Sequence, residues 1–383
     1  MFLYSSTTRF RLHSTLAFTF LVTCLLGCGT KEPTPTNPVE NKTAPVTSVD
    51  EPETELPSEE EATPVDSVTL PQEEPAEVVP SETPETASRR TELEQGLANL
   101  QIPPVWLADI TTEWDINKPW KDGRIEIRRL LGKNDQASQR EAIKLTWDYL
   151  QKDDIGNGHE LPMYLFLGNE PIWAVHAYRQ RIADPTTEHP LPDLKSLASL
   201  YQKYDMFEEA KQQLDTAMKH IPGPPWTEMR EAEIQSDYGS LYAAWGKTDM
   251  AKKHYSEAIR LFPTAKPPYG KHLLPQRAKK VQSKLDLLSM GSLTGQTLKD
   301  GKYQEKVIGY SGDINITMVI ANGKVAKLDT RHQEKIDQNA CKLIPQRIIE
   351  AQSLQVDGVS GATVSKDAII GGTLQALKKA GLK

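Results

Sequence analysis

"DINITMVIANGKVAKLD", Asp313–Asp329, decides how the C-terminal part of the chain folds. Ile314, Ile316, Met318 and Ile320 alternate with Asn315, Thr317 and Val319, so one face is apolar and the other mixed, the pattern of a half-buried strand. Asn322-Gly323 comes next, and both residue types tolerate positive φ, which predicts a type I′ turn into a second strand. "GKYQEKVIGY", Gly301–Tyr310, reads as a further partner strand. Downstream the periodicity predicts a helix over Gln338–Ala351, then a tight polar turn in "VDGVSGATVSKDAII" (Val356–Ile370). A last helix is expected over Ser365–Ala380, with Ile370, Leu374 and Leu377 on one face. Gly371 and Gly372 each cost this helix about 1 kcal/mol relative to Ala, so something packs tightly there, the sheet in preference to a ligand ring. Cys341, in "NACKLIPQRII", reads as a small buried hydrophobe. The whole predicts an α+β domain, a small antiparallel sheet with helices, over residues 297–383.

Residues 91–290 carry a helical period instead, and two segments repeat. Leu194, Leu197, Ala198, Tyr201, Ala210, Leu214, Ala217 and Pro222 carry the pattern, and from Leu197 on it is matched at equal offsets by Tyr238, Gly239, Tyr242, Ala251, Tyr255, Ala258 and Pro263 in the later copy. The pattern resembles tetratricopeptide repeats, in which small residues let antiparallel helices approach, large ones fill the groove and Pro ends the pair. The copies stand 41 residues apart, the excess lying in "GPPWTEM", which is expected to interrupt the stack. A weaker copy around Ala174 and Tyr178, with helices over Arg124–Leu131 and Gln139–Leu150, would complete it. Such an array is either a protein-docking surface or a spacer that presents its neighbour. Trp106, Trp114 and Trp120 are expected to pack as core or cap.

Residues 31–90 hold 15 Asp or Glu against four Lys or Arg, and 11 of the 27 prolines. That acidic, aromatic-free stretch is too polar to repay ordering, so residues 28–90 are expected to be a disordered tether. Its net of −11 outweighs the chain's formal −7, and residues 91–383 stand near +2. The folded part therefore has no electrostatic footprint for nucleic acid. Residues 1–27 read as an export signal: Arg9 and Arg11 precede an apolar run, Leu16–Leu26, too short to span a bilayer. "LLGC", Leu25–Cys28, resembles a bacterial lipobox, which implies lipidation of Cys28 and an extracytoplasmic protein anchored to a membrane. Gly29 after the anchor favours the periplasmic face of the outer membrane. Cys341 is then the one thiol of the mature chain, and no internal disulfide forms.

The C-terminal part has no G-x-G-x-x-G after a strand, no C-x-x-C-H and no H-E-x-x-H, so neither a nucleotide fold nor a metal site of those kinds is expected. In the order "LKDGKYQ", "GYSGDINITMVIANGKVAKL", "HQE", "DGVSGATVS" it resembles the FMN-binding domain of the Rnf G subunit and of the C subunit of the sodium-pumping NADH:quinone oxidoreductase. The resemblance spans about Lys299–Lys383. It implies FMN joined by a phosphoester to the Thr363 hydroxyl, installed from FAD by an ApbE-type flavin transferase. Asp357, Ser360, Gly361 and Ala362 would form the recognition turn. The residue types suit this role, since a phosphate near the start of the last helix would meet unpaired N–H groups and the positive end of the helix dipole. Gly361 permits close backbone approach, and Ser365 could cap the helix or donate to the phosphate. The family's Thr-Pro-Gly after H-x-E is replaced here by "KID" after Glu334, and His332 and Glu334 are read as parts of a solvated loop.

These readings imply an electron-transfer flavoprotein module, lipid-anchored outside the cytoplasm, with the repeats docking a redox protein. The alternatives are a docking scaffold without redox activity and a flavoenzyme acting on a small substrate, for which no substrate-binding domain stands out.

Overall fold

Twelve α-helices, three short 3-10 helices and three strands are found in the described part of the chain, a computed structural model covering residues 84–290, 292–359 and 361–382. The expectations for the signal, for Cys28, for the tether up to residue 83 and for Ser360 lie outside the described residues. Helix α1 (Pro84–Ala98) begins inside the stretch expected to be tether. It is held because Leu93 is fully buried and Arg90 pairs with Glu209 at 2.6 Å.

Four helical hairpins follow: α2 (Trp120–Leu131) with α3 (Gln136–Gln151), α4 (Leu161–Leu167) with α5 (Pro171–Ala183), α6 (Leu191–Lys203) with α7 (Phe207–Lys219), and α8 (Thr227–Ala244) with α9 (Thr248–Leu261). A single helix, α10 (Leu274–Leu287), closes the series against α9. Small residues face large ones where the paired helices touch. A Cβ on Gly239 would lie 2.3 Å from the Tyr255 ring, and one on Gly123 would lie 2.2 Å from the Tyr149 ring. The "GPPWTEM" insert does not break the series as expected. It lengthens α8 to 18 residues against the 13 of α6, and α6 still packs on α8. The tryptophans pack as expected: Trp120 meets Tyr149 edge-on at 5.2 Å, Trp114 donates its Nε1–H to Tyr149 Oη at 2.9 Å, and Trp106 lies under Arg140.

The sheet is antiparallel in the order β1 (Gly301–Ile308), β2 (Asp313–Ala321), β3 (Lys324–His332). Ile314, Ile316, Met318 and Ile320 of β2 are all buried, as their alternation requires. Asn322 and Gly323 have φ of 53° and 68°, and the Asp300 carboxylate accepts from both of their N–H groups at 3.0 Å. On β3 the inward residues are Val325 and Leu328, a spacing that strict alternation forbids. A bulge resolves it: Ile320 pairs with Val325 and Val319 with Lys327, which leaves Ala326 unpaired.

Helices α11 (Ala340–Ala351) and α12 (Thr363–Lys379) cover the sheet, sharing one apolar core with it through Ile344, Ile348, Ile369, Leu374 and Leu377. Pro345 inside α11 has no N–H for the Cys341 carbonyl. The Thr330 hydroxyl of β3 donates to that carbonyl instead, at 2.5 Å, so the missing helix bond becomes a helix-to-strand bond. Gly372 lies against the sheet, where a Cβ would come within 2.3 Å of Ile316 Cδ1 and 2.9 Å of Val307 Cγ1. Gly371 instead faces α10, 3.3 Å from Ser283 Cβ by the same measure. The pair therefore lets α12 approach the sheet and the helical region at once.

Candidate functional site

The polar turn before α12 is shaped by one backbone choice. Gly361 has φ of +78°, and the Ala362 N–H closes the turn onto the Val359 carbonyl at 3.1 Å. A Cβ at Gly361 would make only ordinary contacts, 3.4 Å to Gln338 Cγ and 3.6 Å to Leu167 Cδ2. Glycine is required here for its conformation and not, as the sequence suggested, for space.

Helix α12 starts at Thr363, two residues earlier than expected, with Ala362 as N-cap. The first intrahelical bond is Lys366 N–H to Ala362 C=O at 2.8 Å, so the N–H groups of Thr363, Val364 and Ser365 point out of the helix start without intrahelical acceptors. The Ala362 side chain cannot cap them. Thr363 and Val364 are exposed, whereas Ser365 is 1% exposed. Ser365, expected to cap the helix or donate to the phosphate, stands at the third helical position behind the N-cap Ala362 and is buried. Asp357 is exposed in the loop before the turn, and Arg347 of α11 fixes that loop by donating to the Asp357 and Gly358 carbonyls at 2.7 and 2.8 Å. A cavity of about 360 Å³ opens beside it, lined by Asp357, Lys366 and Asp367 together with Ser283 and Lys284 of α10.

Two lysines of α10 reach the first turns of α12. Lys284 Nζ lies 2.8 Å from Asp367 Oδ2 and donates to Ser240 Oγ at 3.0 Å. Lys280 Nζ donates to the Val364 carbonyl at 3.2 Å. Burial pulls the Lys280 amine down to about 8; Asp367 and Glu334 oppose that, and Lys284 and Arg277 add to it. Burial alone would raise the Asp367 carboxyl, but Lys284, Lys280 and Lys366 outweigh it and hold it below the ordinary carboxylate range. The stability linked to Asp367 is therefore present above the unfolded carboxylate pKa and is lost as pH falls through the lower folded value. Asp367→Asn leaves two lysines facing each other, and the loss of one partner from such a half-buried pair costs about 2–5 kcal/mol. Thermal melts at pH 7 should show the loss, and the variant's melting temperature should fall less steeply on acidification than the wild type's.

On its other side the turn meets the first hairpins. Gln338 donates to the Leu167 carbonyl at 2.9 Å and accepts from Gln139 at 3.2 Å. Asn134 donates to Asp337 at 3.3 Å, and Ile336 belongs to the apolar core that α2, α3 and α4 share. Gly132 at the end of α2 lets the Lys335 backbone approach, since a Cβ there would lie 2.5 Å from the Lys335 carbonyl oxygen. The residues around Thr363 are thus touched by α4 from one direction and by α10 from the other.

Glu334 is not the solvated loop residue expected. Its carboxylate accepts from the Tyr310 N–H at 2.7 Å, the Ser311 N–H at 3.0 Å and the Ser311 hydroxyl at 3.2 Å, which fastens the β1–β2 connection. His332 is exposed, as expected. Cys341 is buried, and burial with the neighbouring Asp337 carboxylate pushes its thiol up to about 12. His332, Asp337 and Cys341 place possible ligand atoms within 4.8 Å of one another, but the Asp337 carboxylate already accepts from the Asn339 and Cys341 N–H groups at 3.2 Å as the cap of α11. Lys280, Gln338 and Leu167 were missed in the sequence because their link to the turn is tertiary; no local pattern marks them.

Over 84 residues, 21% of its length, the chain is 32% identical to an NADH:acrylate oxidoreductase of Vibrio harveyi, and it spans only 8% of that relative. No solved structure matches. Among the described residues no helix is long and apolar enough to cross a membrane. Residues 309–378, which contain the β1–β2 connection, β2, β3, α11, the turn and nearly all of α12, match the FMN-binding domain family and are an FMN-binding domain.

Proposed function

We propose that this chain is a flavoprotein that carries FMN covalently on Thr363 and exchanges electrons with a protein partner outside the cytoplasm. One observation carries the reading. Within the segment that matches the FMN-binding family, an exposed threonine hydroxyl stands at the first position of α12, where N–H groups lacking intrahelical acceptors suit a phosphate. FMN, when bound, supplies the capacity to accept and release one or two electrons. The chain's own part is attachment and placement. Attachment would join the Thr363 oxygen to the phosphorus of the FMN half of FAD, with AMP released from the broken pyrophosphate bond and the hydroxyl proton passed to the transferase. Gly361 turns the backbone so that Thr363 faces outward, and Arg347 holds the Asp357–Gly358 loop beside it.

The succession of hairpins, with Gly239 under Tyr255 and Gly123 under Tyr149, supports a tetratricopeptide-like reading of the helical region, and with it docking of a redox protein. Anchoring through a lipidated Cys28, with a long acidic tether before the described residues, would keep the flavin at a membrane surface. The second reading is a docking scaffold without redox activity. To separate the two, the chain is made together with an ApbE-type flavin transferase, denatured and washed. Flavin fluorescence that stays with the polypeptide is expected; a colourless chain leaves only the scaffold.

A further inference from the structure

We infer that Lys280, which lies in α10 outside the FMN-binding domain, is the positioning residue that pairs with the phosphate on Thr363, so that the helical region forms part of the flavin site. The inference rests on the proposed attachment at Thr363.

Lys366, in the first turn of α12, runs its side chain along Gly358, where a Cβ would lie 3.2 Å from Lys366 Cδ, and its Nζ is 4.0 Å from Asp367. Lys284 is occupied by Asp367 at 2.8 Å and Ser240 at 3.0 Å. Lys280 instead directs its ammonium at the Val364 carbonyl, 3.2 Å away, one residue along from Thr363. That acceptor is neutral. Lys280 is half-buried, and its neighbours Lys284 and Arg277 share its sign, so its desolvation is only partly offset by Asp367 and Glu334.

A phosphodiester on Thr363 Oγ carries one negative charge, and it would stand next to Val364, on the exposed side of the turn. It adds to the counter-charge that Asp367 and Glu334 supply only in part, and a charge-assisted bond to a phosphate oxygen is stronger than one to a neutral carbonyl. The covalent bond alone leaves the group free to turn about the Thr363 side chain. A second contact removes that freedom, and because it comes from α10 it fixes the flavin relative to the helical region and not only to its own domain. Loading the chain then also ties α10 to α12 more firmly.

The test compares the full chain made with and without the transferase, in wild type, Lys280→Met and Lys280→Arg. Met keeps the length and apolar stem of the side chain without its charge, and Arg keeps the charge. Loading should raise the melting temperature of wild type by about 2–4 °C, and Lys280→Met should lose at least half of that rise while Lys280→Arg retains it. The phosphorus NMR signal of the loaded chain should move in Lys280→Met and return towards wild type in Lys280→Arg. A Lys280→Met chain that fails to load, while Lys280→Arg loads and all the unloaded chains melt alike, supports the same role. If Lys280→Met lowers the loaded and unloaded melting temperatures equally and leaves the phosphorus signal in place, Lys280 only braces Val364 and the inference fails by itself. A wild-type chain that takes up no flavin overturns it together with the attachment on which it rests.

Discussion

Thr363→Val should give a chain that melts as wild type does and yet carries no covalent flavin. Valine keeps the β-branched shape and removes only the hydroxyl. At the first position of α12 that hydroxyl is not a cap, because the N-cap is Ala362, and the side chain is exposed. An exposed change of this kind moves stability by no more than about 0.5 kcal/mol, whereas the loading would be all or none, because in the proposed attachment the oxygen is the atom that bonds phosphorus. Ser365 cannot take over, being 1% exposed. Co-expression with the transferase, followed by intact mass measurement under denaturing conditions, reads the result: the wild-type mass rises by FMN less water and the variant's does not change.

Gly372→Val should have the opposite character, a loss of folding in the C-terminal domain. The first added carbon would stand 2.3 Å from Ile316 Cδ1 and 2.9 Å from Val307 Cγ1, and the two further methyls have no space between helix and sheet. Replacing a helical glycine recovers up to about 1 kcal/mol of propensity, but overpacking of this severity exceeds the usual 1–3 kcal/mol. Because Ile316 belongs to the central strand, the strain reaches the whole apolar core of the domain. The melting transition of that domain should fall sharply or vanish, and covalent loading with it. Gly371→Ala provides the contrast, since its Cβ would be 3.3 Å from Ser283 Cβ, a contact short by only a few tenths of an ångström. Near-neutral stability is expected there.

What could be read from the sequence was whatever a local period or a local turn controls. The alternation of Ile314, Ile316, Met318 and Ile320 placed β2 and its buried face, Asn322-Gly323 placed the turn, and the small residues of the repeats placed the helix contacts. Reading failed where a remote partner decides. Val325 and Leu328 face one core only because of the bulge at Ala326. Pro345 sits inside α11, where local rules disfavour it, because Thr330 on a strand satisfies the freed carbonyl. The start of α12 lies two residues before the expected one because its N-cap is Ala362, which has no capping side chain to announce it. Glu334 looked like loop composition, and only the fold brings it to the N–H groups of Tyr310 and Ser311. The site followed the same rule: the turn and Thr363 were visible in the sequence, but Lys280 and Leu167, which approach it from two directions, were not.

The most direct test of the account is to locate the flavin in the tryptic peptide Ile348–Lys366 of the co-expressed wild-type chain. Fragmentation should place the whole mass increment on Thr363. An increment on Ser353, Ser360 or Ser365, or a peptide of unmodified mass from a chain made beside an active transferase, would contradict it.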